Sequence, residues 1–124
     1  MSVFPGRRFT CLSLLLMPMV GAAGANPGLK TLVELEYHRE VLMYCGISDP
    51  DAVRGFLLRQ KNLVSQFDLD AEDRQEAMSR ARRMAHEEWQ NRGLGGFRGW
   101  CRNEGVTYTE TLKSYTQMQT GETE

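Results

Sequence analysis

The stretch from Gly28 to Cys45, GLKTLVELEYHREVLMYC, decides the fold. Its apolar side chains recur at intervals of three and four residues, the spacing of one face of an α-helix. This apolar stripe consists of Leu29, Leu32, Val33, Tyr37, Val41, Tyr44 and Cys45. Four charged residues lie largely off the stripe: Lys30, Glu34, Arg39 and Glu40. We therefore predict a first helix here, ended by Gly46.

The segment Ser48-Asp49-Pro50-Asp51 predicts the start of a second helix. It offers a capping side chain, a proline at the first helical position and an acid in the first turn. The predicted helix runs from Pro50 to Phe67. Its predicted buried line is Val53, Phe56, Leu57, Gln60, Leu63, Val64 and Phe67.

A third helix is predicted from Ala71 to Arg92, because Asp70 and the acids after it favour a helix N-terminus. Its apolar face is thin and made mostly of small side chains, which let a neighbouring helix approach closely. That face consists of Ala77, Met78, Ala81, Met84, Ala85 and Trp89.

A run of glycines, Gly93-Leu94-Gly95-Gly96, breaks the chain, and helical spacing resumes from Phe97 to Gln117. Gly99 and Gly105 weaken this fourth helix, so we expect a kink or an irregular segment near Gly105. Residues 117–124 are polar and are predicted to fray. The pattern as a whole predicts an all-α fold, a small antiparallel bundle of four short helices with an up-down-up-down order.

The N-terminal segment resembles a secretory signal peptide. Arg7-Arg8 precedes an apolar run from Phe9 to Val20, and Ala23-Gly24-Ala25 forms a cleavage site. The alternative, an uncleaved anchor, is disfavoured because the run is short and contains Pro18. We expect residues 1–25 to be removed near Ala25 and residues 26–124 to form a single helical domain in the periplasm or outside the cell. General secretion is favoured over the twin-arginine route.

Cleavage leaves two cysteines, Cys45 and Cys101, since Cys11 departs with the leader. Two cysteines in an oxidising compartment have one intramolecular pairing, so we predict a disulfide between them. The alternative is a pair of free buried thiols. In an up-down-up-down bundle the end of the first helix and the start of the fourth lie at the same end, which agrees with the bridge.

Charge and motifs exclude several classes of function. Lys and Arg fall from 15 to 13 on cleavage against 16 acids, giving a mature net charge of about −3. This disfavours nucleic acid and anionic membrane as partners, and we expect no stable membrane insertion after cleavage. No G-x-S-x-G elbow, P-loop, dinucleotide fingerprint or C-x-x-C-H haem motif occurs, so we expect neither an enzyme nor a cofactor.

A metal-binding carrier is an alternative function. His38, Met84 and His86 are weak candidate ligands, which would give a mixed nitrogen and thioether site with nearby carboxylates. Their spacing matches neither di-iron bundles nor zinc hydrolases.

Aromatic and arginine residues cluster around the glycine run, and these side chains dominate protein interfaces. We name this set the aromatic–arginine rim: Trp89, Arg92, Phe97, Arg98, Trp100 and Arg102. The leading hypothesis is a non-enzymatic protein that binds another protein through this rim. The alternative is that Trp89, Phe97 and Trp100 close the core over the disulfide.

Two motifs carry a resemblance to a known family. Leu32 to Arg39 leads to Cys45-Gly46, and Trp89 to Leu94 leads to Trp100-Cys101. This arrangement resembles small, exported, two-cysteine helical proteins of alphaproteobacteria with no assigned activity. The resemblance implies a periplasmic helical protein with one disulfide bond, and it implies no function.

The architecture is also similar to that of exported acid-stress chaperones, which are small, helical and stapled by one disulfide. That similarity gives a third candidate function. Carboxylates would take up protons at low pH and free apolar surface to hold unfolded clients.

Overall fold

The computed structural model describes residues 26–118, which form helices joined by short turns. The helices are α1 (Pro27–Tyr44), α2 (Pro50–Gln66), α3 (Ala71–Asn91), α4 (Phe97–Trp100) and α5 (Val106–Met118), with a π-helical turn at Cys101–Gly105. No strand occurs in this range, so the predicted all-α fold is confirmed. The predicted leader and all but the first two residues of the predicted frayed tail lie outside the described residues.

The predicted helix starts are confirmed by their side-chain caps. Asp49 Oδ1 accepts a hydrogen bond from the Ala52 backbone N–H at 3.2 Å, and Pro50 is the first residue of α2. At the start of α3, the Asp73 N–H donates to Asp70 Oδ1 at 2.8 Å, and the Asp70 N–H donates to Asp73 Oδ2 at 3.1 Å. These reciprocal bonds satisfy backbone donors that a helix N-terminus leaves free.

The fourth predicted helix is divided into α4, the π-helical turn and α5. Gly99 and Gly105 predict such an interruption because glycine has a low helix propensity. Gly105 is buried at the end of the turn, where an added Cβ would lie 3.1 Å from Ile47 Cδ1 and 3.5 Å from Cys45 Sγ. The irregularity near Gly105 is therefore confirmed. A side chain there would press against Ile47 and would touch the disulfide sulfur at ordinary van der Waals distance.

The predicted disulfide is present and joins the end of α1 to the start of the π-helical turn. Cys45 and Cys101 have an S–S distance of 2.06 Å and a Cα–Cα distance of 5.4 Å. The helices run up, down, up and down as expected, which brings the two cysteines to the same end of the bundle.

The bundle is flattened, with α1 between two unlike neighbours. α3 makes its main contact with α1 and runs parallel to it, whereas α2 and α5 pack together on another side of α1. Gly55 permits this second contact, because a Cβ at that position would overlap the carbonyl oxygen of Leu112. The core between α1, α2 and α5 includes Leu32, Leu35, Leu42, Phe56, Leu63 and Leu112.

The contact between α1 and α3 uses small side chains, as the thin apolar face predicted. Ala77, Ala81 and Ala85 are all completely buried along α3. Methyl groups at four-residue intervals let the two helix backbones approach closely. Met84, predicted on this apolar face, is instead 42% exposed.

One part of the buried line predicted for α2 is wrong. Phe56 and Leu63 are buried, but Val53 and Leu57 are each 55% exposed. Because α3 packs on α1 and does not cover α2, no helix within residues 26–118 covers these two side chains. None of the helices within residues 26–118 has the length and apolarity needed to cross a bilayer.

Candidate functional site

The aromatic part of the rim is a group of tilted rings in contact at the end of α3. The Trp89 ring lies 4.9 Å from Phe97 and 5.3 Å from Tyr44, measured between ring centroids. Trp89 and Phe97 are half-buried. With the glycine run they line a shallow depression of about 390 Å³.

Trp100 does not belong to the exposed rim. The Trp100 side chain is completely buried. Its ring centroid lies 6.0 Å from that of Tyr44 and 5.2 Å from the guanidinium carbon of Arg92. Its indole nitrogen makes no hydrogen bond of normal geometry to any residue in the 26–118 range. Burial raises the pKa of the nearby Tyr37 hydroxyl, and the Trp100 indole N–H lowers it by a smaller amount. The structure therefore corrects the rim hypothesis for this residue, because Trp100 closes the core beside the disulfide.

The three rim arginines differ in their partners. Arg92 Nη2 lies 3.0 Å from Glu88 Oε2 and 3.7 Å from Glu104 Oε1, so its charge is compensated. Arg98 and Arg102 are exposed and make no ion pair with any residue in the 26–118 range. Two cations at the rim therefore remain available to an acidic partner.

Leu94 is a surface residue that the sequence analysis did not single out. It is fully exposed between Gly93, with a φ of 67°, and Gly95, with a φ of 83°. These left-handed glycines turn the chain so that Leu94 stands clear of the core. A leucine inside a glycine run was the available signal, because glycine runs lie at the surface.

Of the weak metal candidates, the two histidines have other partners, and Met84 is an exposed side chain. The His38 ring stacks on Tyr108 at 4.0 Å between centroids, and burial lowers the pKa of His38. The Tyr44 hydroxyl and His86 Nδ1 are joined by a hydrogen bond of 3.2 Å. Throughout residues 26–118, no three His, Cys, Asp or Glu side chains converge on a point that could hold a metal ion.

Two carboxylates of α1 are buried, which the helical pattern did not reveal. Glu40 was predicted to lie largely off the apolar stripe, but it is 7% exposed. Glu36 is 2% exposed and accepts a hydrogen bond of 2.7 Å from Gln60 Nε2 of α2. Burial raises the pKa of Glu36 because it penalises the charged form.

Two arginines compensate these carboxylates. Arg82 Nε of α3 lies 3.6 Å from Glu40 Oε1, and Arg39 Nη2 lies 3.7 Å from the same oxygen. Arg39 Nε lies 3.7 Å from Glu36 Oε2. The group links α1 to both α2 and α3 with a balance of two acids and two bases.

A second concave surface lies between the C-terminal half of α1 and the N-terminal half of α2. We name it the α1–α2 groove; it has a volume of about 280 Å³. Met43, Val53 and Leu57 form its exposed walls, while Leu42, Ala52 and Phe56 form its buried floor. Arg39 and Asp49 supply its two charged groups. Helical periodicity does not indicate this site, because it predicts that its α2 residues Val53 and Leu57 are covered.

Comparison with known proteins finds no matching family model, no matching curated protein and no matching solved structure. The functional argument consequently rests on this chain's own residues and their geometry.

Proposed function

We propose that this protein is exported to the periplasm and acts there, without catalysis, by binding another protein through the aromatic–arginine rim. Export is supported by the leader pattern in residues 1–25. The Cys45–Cys101 bridge supports it as well, because such bonds persist in oxidising compartments.

The observation that carries the binding proposal is the exposed Leu94 beside two uncompensated cations. Leu94 lies within the glycine turn and lines the same shallow depression as the half-buried Trp89 and Phe97. Arg98 and Arg102 supply positive charge close by in the chain. An apolar anchor with a charged border is the arrangement found at the centre of many protein interfaces.

This surface fits a protein partner with an apolar pocket bordered by carboxylates. The pocket would receive Leu94, and the carboxylates would pair with Arg98 and Arg102. Trp89 and Phe97 would widen the apolar contact without large rearrangement, because their stacking already fixes them.

Crosslinking in the periplasm of the host organism tests the proposal. We expect Leu94→Ser, and separately the double change Arg98→Glu with Arg102→Glu, to abolish a crosslinked partner band seen with wild type. Neither change touches the core, so circular dichroism should be unaffected.

Matched controls are available elsewhere on the surface. Val106→Ser removes another exposed apolar side chain, and Arg83→Glu reverses another exposed arginine. Both controls should retain the band. An identical band pattern for all variants would refute the rim as a binding surface, and a mature N-terminus other than one close to Asn26 would refute the export step.

A further inference from the structure

The α1–α2 groove keeps large apolar side chains uncovered on a rigid support. Met43 is 61% exposed, and Val53 and Leu57 are each 55% exposed. Both walls are helices and the floor is core, so the groove is preformed. Its volume of about 280 Å³ lies near the lower limit of small-molecule sites, roughly 300 to 1,000 Å³.

Arg39 supplies hydrogen-bond donors that its protein partners do not use fully. Its Nε is buried and makes no hydrogen bond within residues 26–118, whereas the side chain as a whole is 32% exposed, so a ligand can reach only the outer part of the guanidinium. The carboxylate oxygens nearest to its Nε and Nη2 are both 3.7 Å away, beyond normal hydrogen-bond distance. The guanidinium is held over the Phe56 ring, 5.4 Å from its centroid, at the edge of the apolar floor.

The neighbouring acids have partners of their own, so Arg39 is not their sole compensation. Gln60 donates to Glu36, and Arg82 pairs with Glu40.

Asp49 decides the orientation of a charged ligand. It lies among the groove residues of the α1–α2 connection, where its carboxylate caps α2 and stands 3.9 Å from Lys113 Nζ. A second carboxylate beside Asp49 would be repelled, whereas the Arg39 side offers a guanidinium with unused donors.

We propose that the α1–α2 groove binds a single-chain amphiphile with a carboxylate head, of the fatty-acid type. The tail lies between Met43, Val53 and Leu57, and the head meets Arg39. The small volume of the groove, about 280 Å³, favours a short alkyl tail over a long one. This site shares no residue with the aromatic–arginine rim and stands whether or not the rim binds a protein.

Titration calorimetry of the purified, oxidised full chain, prepared without detergent, tests the site with decanoate as the probe. We expect saturable binding at one site per chain, at concentrations below micelle formation. Decyltrimethylammonium, which has the same tail and a cationic head, should bind at least tenfold more weakly. Equal binding of the two amphiphiles, or no binding of decanoate, would overturn the proposal.

A pair of valine variants separates the groove from general surface hydrophobicity. Val53→Trp fills the groove and should weaken decanoate binding at least tenfold. Val106→Trp changes a valine of nearly equal exposure, 53% against 55%, outside the groove and should leave the affinity within twofold. Equal affinities for the two variants would refute the groove as the site.

Arg39→Gln tests the head contact and should weaken decanoate binding about tenfold or more, the typical cost of losing a hydrogen bond to a charged group. Arg39→Lys keeps the charge and should retain part of the affinity, which guards against a folding defect in the glutamine variant. Sedimentation equilibrium provides one more check. Wild type that dimerises while Val53→Trp stays monomeric would assign the groove to a second copy of the chain and overturn the ligand proposal.

Discussion

Helix α1 packs against α3 on one side and against α2 and α5 on another, and the two interfaces use side chains of different size. The α3 side is a seam of alanine methyl groups at Ala77, Ala81 and Ala85, reinforced by the ion pair between Arg82 and Glu40. The α2 and α5 side is filled by large leucine and phenylalanine side chains. A seam of methyl groups removes little apolar area from water per residue, so α3 gains less from burial than α2 or α5 does.

This difference explains what holds α3 in place. Its C-terminal end is fixed by the ring contacts of Trp89 with Tyr44 and Phe97, beside the disulfide. Its N-terminal end is fixed by the residue just before the cap, since Leu69 is 5% exposed within the hydrophobic core. The α2 and α5 side relies on burial along its length, whereas α3 relies on its two ends.

The largest expected effect comes from removing the bridge that both sides share. A double change, Cys45→Ala with Cys101→Ala, should lower the free energy of unfolding by about 4 kcal/mol, the loop-entropy value for a closed loop of this length. Urea denaturation measures the loss. In native-state hydrogen exchange, α3 amides should then lose protection before those of α2 and α5, because few apolar contacts hold α3.

Reductant is the control for this prediction. It should destabilise wild type by a similar amount and leave the double variant unchanged. Uniform loss of protection in all helices would contradict the contrast between the two sides.

A pair of side-chain truncations compares the two interfaces directly. Leu112→Ala removes a leucine that is 1% exposed and should cost about 3 kcal/mol through lost burial and a cavity. Ala81→Gly on the α3 side should cost about 1 kcal/mol, mostly from helix propensity. Equal decreases in the free energy of unfolding would show that the α1–α3 interface stabilises the protein as much as the core does, which would contradict the comparison.

Gly55→Ala tests the close approach of α2 and α5. The added methyl group would overlap the Leu112 carbonyl oxygen, so the helices must separate, at a cost of about 2 kcal/mol. Gly99→Ala is the matched control, because no heavy atom lies within 4 Å of its added Cβ. That control should be neutral or stabilise the protein by up to about 1 kcal/mol, and a destabilisation as large as that of Gly55→Ala would count against the packing argument.

Local features of the fold were predictable because a few neighbouring residues determine them. The caps at Asp49 and Asp70 and the stop at Gly46 depend on nearby backbone groups alone. The pairing of Cys45 with Cys101 followed from the number of cysteines remaining after the predicted cleavage. The irregular turn at Gly105 followed from the low helix propensity of glycine.

The side on which α3 packs could not be predicted from periodicity. An apolar stripe tells which face of a helix avoids water, but not which helix covers it. For this reason Val53 and Leu57 were expected inside and Glu40 outside, and both expectations were wrong. The burial of Trp100 was undecidable for the same reason, since aromatic residues serve cores and interfaces alike.

The smallest effects are pH-dependent and have opposite signs for two groups of α1. His38, stacked on Tyr108, has a pKa lowered by burial below its ordinary 6.5. Its stabilising contribution is complete above pH 6.5 and is lost as the pH falls through the native pKa. Glu36 has a pKa raised by burial above 4.5, so its contribution is complete below pH 4.5 and is lost as the pH rises through the native pKa.

Two substitutions should isolate these contributions in urea denaturation between pH 4 and pH 8. His38→Phe should reduce the loss of stability on acidification below pH 6.5. Glu36→Gln should raise the free energy of unfolding more at pH 7 than at pH 4, because it removes a buried charge and keeps an acceptor for Gln60. Each change should be small, on the order of 1 kcal/mol, because the charge of Arg39 opposes the desolvation of Glu36 and the charge of Glu34 opposes that of His38. Acid sensitivity that persists in His38→Phe would assign the response to other groups, whereas its disappearance would locate the acid-sensitive contact between α1 and α5.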